Sequence, residues 1–214
     1  MHDFSVEVIA LDDGPWKRTT TAAMIVLPLC GLARSPLGLL DVSQFLTHHS
    51  GALTLLPVPK ATPLRCLVIE TTEAYTNGAA LRPMDDIFRR IIYRTCQRLQ
   101  TNERPDQLAR ILLHRASAPF SPPPRRPSPA VEKAREIMHA HERRLAPAEL
   151  ACMTGVTAKY LTNAFKRSLG LPMYQYQLRV RVARALLDLS EAKGITALAH
   201  THGFSSHSHF TNVF

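Results

Sequence analysis

Residues 118–130 read APFSPPPRRPSPA, with six prolines in thirteen positions. Proline lacks an amide donor, clashes inside a helix and pushes the preceding residue toward extended backbone. Regular structure does not run through such a segment, so it is a semi-extended spacer. It divides the 214-residue chain into two parts, each of which needs its own core. The sequence predicts an N-terminal domain over 1–117, a proline-rich linker over 118–129 and a C-terminal domain over 130–214.

Charge is unevenly shared between the parts. Residues 1–124 hold 13 Lys and Arg against 11 Asp and Glu, whereas 125–214 hold 13 against 6. Most of the net charge of +9 therefore lies after the spacer, where it favours a polyanionic partner. Cys30, Cys66, Cys96 and Cys152 are far apart and form no Cys-x-x-Cys, a pattern suited to reduced thiols. The opening MHDFSVEVIALDDG does not read as a signal peptide. The apolar run from Ala22 to Ala33 is too short to span a bilayer and contains Pro28 and Gly31. A cytoplasmic protein with no membrane partner is expected.

Short β-type runs precede the spacer: FSVEVIAL (4–11), AAMIVLPL (22–29), ALTLLPV (52–58) and LRCLVIE (64–70). Two helices follow. In DDIFRRIIYRTCQRL, Ile87, Ile91, Thr95 and Leu99 recur every four residues beside Phe88 and Ile92. DQLARILLHRA begins after Pro105 with Asp106 in its first turn. A small sheet domain closed by a helix pair is expected.

After the spacer every pattern is helical. Ser128 is placed to cap a helix opened by Pro129, with Val131, Ala134 and Ile137 on one side. Pro147 opens a short helix that ends at Gly155. Thr157 caps the next, which Gly170 ends. A long helix after Pro172 carries Tyr176, Val180, Ala183 and Leu187 on one stripe. Helices over Ile195–His202 and Ser206–Phe214 complete the pattern.

This part repeats itself. Leu150-Ala151 precede Gly155, and Leu198-Ala199 precede Gly203, 48 residues on. Val156 and Phe204 follow the glycines. Thr162-Asn-Ala-Phe165 and Thr211-Asn-Val-Phe214 match at 49, so the second copy has one extra residue. Each copy reads as helix, glycine turn, helix, with Val156, Leu161 and Phe165, then Phe204, Phe210 and Phe214, as core. The segment AHTHGFSSHSHF packs four histidines into this second copy. On a helix, side chains two residues apart diverge by about 200°. His200 and His202 close the first helix of the copy and His207 and His209 open its second. No metal site is expected here.

The stretches LACMTGVTAKYLTNAFKRSLGLPMYQYQLRVRVARALL and ITALAHTHGFSSHSHFTNVF resemble the AraC/XylS family of bacterial transcription regulators, over roughly 130–214. The resemblance implies two helix-turn-helix units on one connecting helix, with both recognition helices entering successive major-groove segments of double-stranded DNA. It implies base reading by Lys159, Thr162 and Asn163 in the first unit, with Lys166 and Arg167 near phosphates. In the second it implies base reading by His207, Ser208, Thr211 and Asn212, the last two being alternatively backbone contacts. Members usually continue past the last phenylalanine with a basic stretch, a glycine and a closing helix. The sequence stops at Phe214, so a less fully closed second unit is expected. The N-terminal strands correspond to a reduced cupin-like domain, and residues 84–117 to dimer helices.

The expected fold is thus α+β, with a small β-sheet domain and helix pair, a linker and an all-α double helix-turn-helix domain. The expected function is a sequence-specific transcription activator that works with RNA polymerase and takes a signal from a protein or small-molecule effector. No phosphate loop, paired acids or nucleophile with a base is present, so neither catalysis nor a cofactor is expected. Two other readings stand beside it: a metal- or ligand-binding sensor built on the histidine cluster, and a helical protein-binding adaptor.

Overall fold

The computed structural model describes residues 4–12, 14–72, 78–101, 103, 105–118, 126–188 and 194–213. The chain forms two compact units. One holds Met1–Leu29, Ala33–Pro57 and Pro63–Pro124, the other Cys30–Leu32, Val58–Thr62 and Arg125–Phe214. Residues 119–125 of the expected linker, and Phe214, lie outside the described residues.

The strands are β1 (Phe4–Leu11), β2 (Trp16–Thr20), β3 (Ala23–Cys30), β4 (Leu32–Ser35), β5 (Gly38–Asp41), β6 (Gln44–His48), β7 (Gly51–Pro57), β8 (Leu64–Thr71) and β9 (Ala80–Pro83). They form a five-stranded sheet in the order β1-β8-β3-β6-β9 and a four-stranded sheet in the order β2-β7-β4-β5. β1 pairs antiparallel with β8 along its whole length, from Phe4 opposite Thr71 to Leu11 opposite Leu64. Helices α1 (Asp86–Gln100) and α2 (Asp106–Ser117) follow.

Side-chain alternation explains why β3, and β8 from Cys66 to Ile69, are apolar. Successive residues of a strand face opposite sides. Ile25, Leu27, Leu67 and Ile69 pack with Phe88 and Ile92 of α1 and Ala109, Leu112 and Leu113 of α2. Met24, Val26, Cys66 and Val68 pack instead with Leu40, Leu53 and Leu55. A strand buried on both faces reads as a continuous hydrophobic run.

Five strands depart from the sequence expectation. β2, β4, β5, β6 and β9 have only four or five residues each. They carry Lys17, Arg18, Arg34, Asp41, Gln44 and Arg82 among their few apolar positions. Partners rather than composition make them strands, as in the β6–β9 pairing from Gln44 opposite Pro83 to Thr47 opposite Ala80. In the tight link between β5 and β6, Asp41 Oδ1 accepts from the Ser43 amide at 2.8 Å and the Ser43 hydroxyl at 2.6 Å.

On α1 the buried row is Phe88, Ile92 and Thr95, while Ile87 is 60% exposed. A strict four-residue repeat advances about 40° beyond each full turn, so the row starting at Ile87 only crosses the core face, fully buried at Thr95 and partly buried at Ile91 and Leu99. Asp85 Oδ1 accepts from the Phe88 amide at 2.6 Å and caps this helix.

The second unit contains α3 (Pro129–Ala140), α4 (Pro147–Thr154), α5 (Ala158–Leu169), α6 (Met173–Leu187), α7 (Ile195–Thr201) and α8 (His207–Val213). Ser128 precedes α3 at the cap position, but its side chain makes no capping hydrogen bond. Its Oγ is buried with no hydrogen-bond partner among the described residues. The buried positions of α3 are Val131, Ala134, Arg135, Met138 and His139, with Ile137 only half-buried.

Gln177 of α6 clamps the loop between α3 and α4. Its Oε1 accepts from the Leu145 amide at 2.8 Å and its Nε2 donates to the Leu145 carbonyl at 2.9 Å, both buried. Gln177→Ala leaves two buried backbone groups unsatisfied, which costs about 1–3 kcal/mol each. Chemical denaturation is expected to show a loss of about 2–6 kcal/mol, with faster hydrogen exchange at the Leu145 amide. An unchanged exchange rate would show that this clamp does not hold the loop.

Candidate nucleic-acid interface

The first helix-turn-helix is α4 and α5. Pro147 starts α4, and the Glu149 carboxylate accepts from the Ala146 amide at 2.7 Å. Arg143 lies against the same carboxylate at 2.8 Å. These two partners, the arginine first, hold the Glu149 carboxyl down at about 2. Gly155 ends α4 at φ 77°, a left-handed conformation in which a Cβ is strained. Its amide donates to the Cys152 carbonyl at 3.3 Å, and the Val156 amide donates to the Ala151 carbonyl at 3.1 Å. This bond pair is the Schellman closure of a helix C-terminus. Thr157 Oγ1 then accepts from the Tyr160 amide at 3.2 Å and starts α5.

The second helix-turn-helix, α7 and α8, repeats these bonds. Gly203 has φ 72°. Its amide donates to the His200 carbonyl at 3.0 Å, and the Phe204 amide to the Ala199 carbonyl at 2.9 Å. The next cap is Ser206, whose Oγ accepts from the His209 amide at 3.0 Å. Thr157 and Ser206 are therefore the matching caps, 49 residues apart, while the glycines are 48 apart. The extra residue is Ser205, in the turn. Thr157 thus corresponds to Ser206 rather than to Ser205, Lys159 to Ser208 and Asn163 to Asn212.

Helix α6 carries both units. Its Tyr176 ring meets Phe165 of α5 at 5.0 Å, and its hydroxyl lies 3.1 Å from His139 Nε2. Arg184 donates from Nη1 to the His141 carbonyl at 2.6 Å, and from Nη2 to the His139 carbonyl. A second row, Leu178, Val182, Ala185 and Leu186, clusters with Leu198, Ala199, Phe204 and Phe210. The single stripe expected on this helix is therefore two. The side chain of Leu187 lies outside the described residues.

Lys159, Thr162, Asn163, Lys166 and Arg167 are all exposed on one side of α5, opposite buried Leu161, Ala164, Phe165 and Leu169. His207 and Ser208 are exposed at the start of α8. Thr211 and Asn212 lie on α8, but their side chains are outside the described residues. The structure thus groups the first unit's candidates on one outer face and leaves the second unit's group incomplete.

The histidines take separate roles. His202 Nε2 lies 2.9 Å from Asp188 Oδ2. His209 Nδ1 lies 3.1 Å from Ser205 Oγ, and its ring meets Phe204 at 5.6 Å. Asp188 is exposed, yet it has this imidazole partner. Among the described residues no group of three His, Cys, Asp or Glu side chains is placed to hold a metal ion. Sequence reasoning missed Gln177, Arg181, Arg184 and the Asp188–His202 pair. The arginines inside the apolar run LRVRVARALL were a signal, since a helix with two buried stripes cannot keep every one in water.

Residues 150–214 match a family model described as a helix-turn-helix domain. The chain is also similar, at 32% identity, to a transcriptional regulator of the AraC-type DNA-binding domain-containing proteins from Chromobacterium violaceum. That likeness covers 40% of this chain and 78% of that one, with a TM-score of 0.38. The chain belongs to the AraC-type DNA-binding family. It is a DNA-binding transcription regulator, with an antiparallel sheet domain ahead of an AraC-type double helix-turn-helix. ToxT from Vibrio cholerae is similar over 99% of this chain and 93% of its own, at 11% identity and a TM-score of 0.40. Among curated proteins none matches the sequence. No helix among the described residues is long and apolar enough to cross a membrane.

Proposed function

We propose that this AraC-type regulator is a cytoplasmic transcription activator that reads two successive major-groove segments and performs no catalysis. Lys159, Thr162 and Asn163 of α5 read bases in one segment, and His207, Ser208, Thr211 and Asn212 of α8 in the other. Lys159 donates to guanine O6 and N7, and Asn163 pairs bidentately with adenine. Lys166 and Arg167 neutralise phosphates and set register without reading sequence. Residues 1–117 dimerise through 84–117 or take an effector signal, 118–129 link, and 130–214 bind DNA beside RNA polymerase.

The observation that supports this reading most is the repeated turn. Two helices of matching bond pattern, each with an exposed polar side, stand on one connecting helix. Recognition helices that read the same face of B-DNA lie about 34 Å apart, one duplex turn. Footprinting on the promoter beside its own coding sequence is expected to protect two segments one turn apart. The logarithm of affinity is expected to fall linearly with the logarithm of salt, by about 0.9 per phosphate contact. A single protected segment, or an affinity indifferent to salt, would defeat the two-segment reading.

A further inference from the structure

Both turns are closed by the same backbone bonds, but among the described residues they differ in what lies beside them. Arg181 of α6 donates from Nη1 to the Gly203 carbonyl at 2.9 Å. Its guanidinium carbon stands 4.9 Å from the centre of the Phe204 ring. A Cβ placed on Gly203 would meet that Nη1 at 3.3 Å, whereas a Cβ on Gly155 would meet nothing within 4 Å. The guanidinium therefore fills the space against the second turn, and the matching space at the first is open.

This arrangement is costly for a structural filler. Burial pulls the Arg181 pKa down, and its Nε is buried with no hydrogen-bond partner among the described residues. An unsatisfied buried donor is unfavourable. An apolar side chain would fill the same volume without that cost. What an arginine adds is direction, because its planar fork donates to a carbonyl and stacks on a ring at once.

The second turn needs such direction more than the first. Ser205 lengthens the link between Gly203 and the cap of α8, so backbone geometry constrains that helix less. Phe204, the residue under the guanidinium, contacts His209 at 5.6 Å and Phe210 at 5.0 Å. We propose that Arg181 is a positioning residue for the second recognition helix: it pins Gly203 and Phe204 and thereby sets how the outer face of α8 meets the major groove. This rests on the base reading by α8 proposed above.

The test uses the full chain and a random duplex library, from which the wild type selects its two segments. Single base changes are then scored in each segment, where a wrong base pair typically costs roughly 5- to 150-fold in affinity. Arg181→Met is expected to keep the penalties in the segment read by α5 and to bring those in the other close to onefold. Arg181→Lys, which retains charge but not the fork, is expected to recover part of them.

Gly203→Ala and Gly155→Ala give a matched pair, since both strain a left-handed residue but only the first displaces the guanidinium. Gly203→Ala is expected to lose base penalties in its own segment, and Gly155→Ala to keep them in its own. Full penalties in both segments for Arg181→Met overturn the proposal. So does equal loss in both segments, which marks a general structural role, and so does a parallel loss in the two glycine variants. A wild type that enriches no sequence overturns base reading itself and the positioning role with it.

Discussion

Phe204→Ala is expected to unfold the second helix-turn-helix while leaving the first in place. Phe204 is 2% exposed. Its ring meets Phe210 at 5.0 Å and the Arg181 guanidinium at 4.9 Å, in a cluster whose other buried members are Val182, Ala185, Leu198 and Ala199. Truncating a buried phenylalanine costs about 3–5 kcal/mol. Two small helices that share this one cluster have no second core to fall back on, so that loss rivals the stability of the second helix-turn-helix. Hydrogen exchange is expected to accelerate across 195–213 and stay slow across 147–169. Phe165→Ala supplies the comparison, since it removes the ring that meets Tyr176 at 5.0 Å in the first unit. Uniform exchange changes across both units after Phe204→Ala would show one cooperative block in place of two.

Lys159→Ala and Asn163→Ala are each expected to weaken operator binding by about 1–3 kcal/mol and to relax preference at one base pair. Both side chains are exposed on the same side of α5, four residues apart. Neighbours that share a surface couple, so the double variant is expected to depart from the sum of the two. Lys166→Ala and Arg167→Ala are expected to behave differently. They should weaken binding to operator and random duplex alike and lower the salt slope by about one each. Competition binding with base-substituted operators and with random duplex separates the two kinds of contact. Equal losses of operator and random binding for Lys159→Ala and Asn163→Ala would remove them from the base-reading set.

The double helix-turn-helix was legible because its determinants are local. Gly155 and Gly203 stand where a left-handed residue ends a helix, and Thr157 follows where a hydroxyl can start one. Apolar residues at helical spacing name Leu161 and Phe165 as core, and the polar face of α5 is what remains. Each of these signals lies within a few residues of the atom it governs, so the two turns, the helices and the outer face of the first helix-turn-helix are all written in local sequence.

Other features depend on partners distant in the chain. The short strands between Leu32 and His48 exist because neighbouring strands satisfy their backbone, not because their composition alternates. The place of the inserted residue is known from the capping bond of Ser206, which selects it over Ser205. The four histidines share one short segment, yet His202 turns to Asp188 and His209 to Ser205 and Phe204. Arg181 reads in sequence as another basic residue of a basic helix. It becomes a pin for the second turn because folding brings a carbonyl 22 residues away to within 2.9 Å of its Nη1. A half-buried cation's role is set by the group it meets, and that group is chosen by packing rather than by sequence spacing.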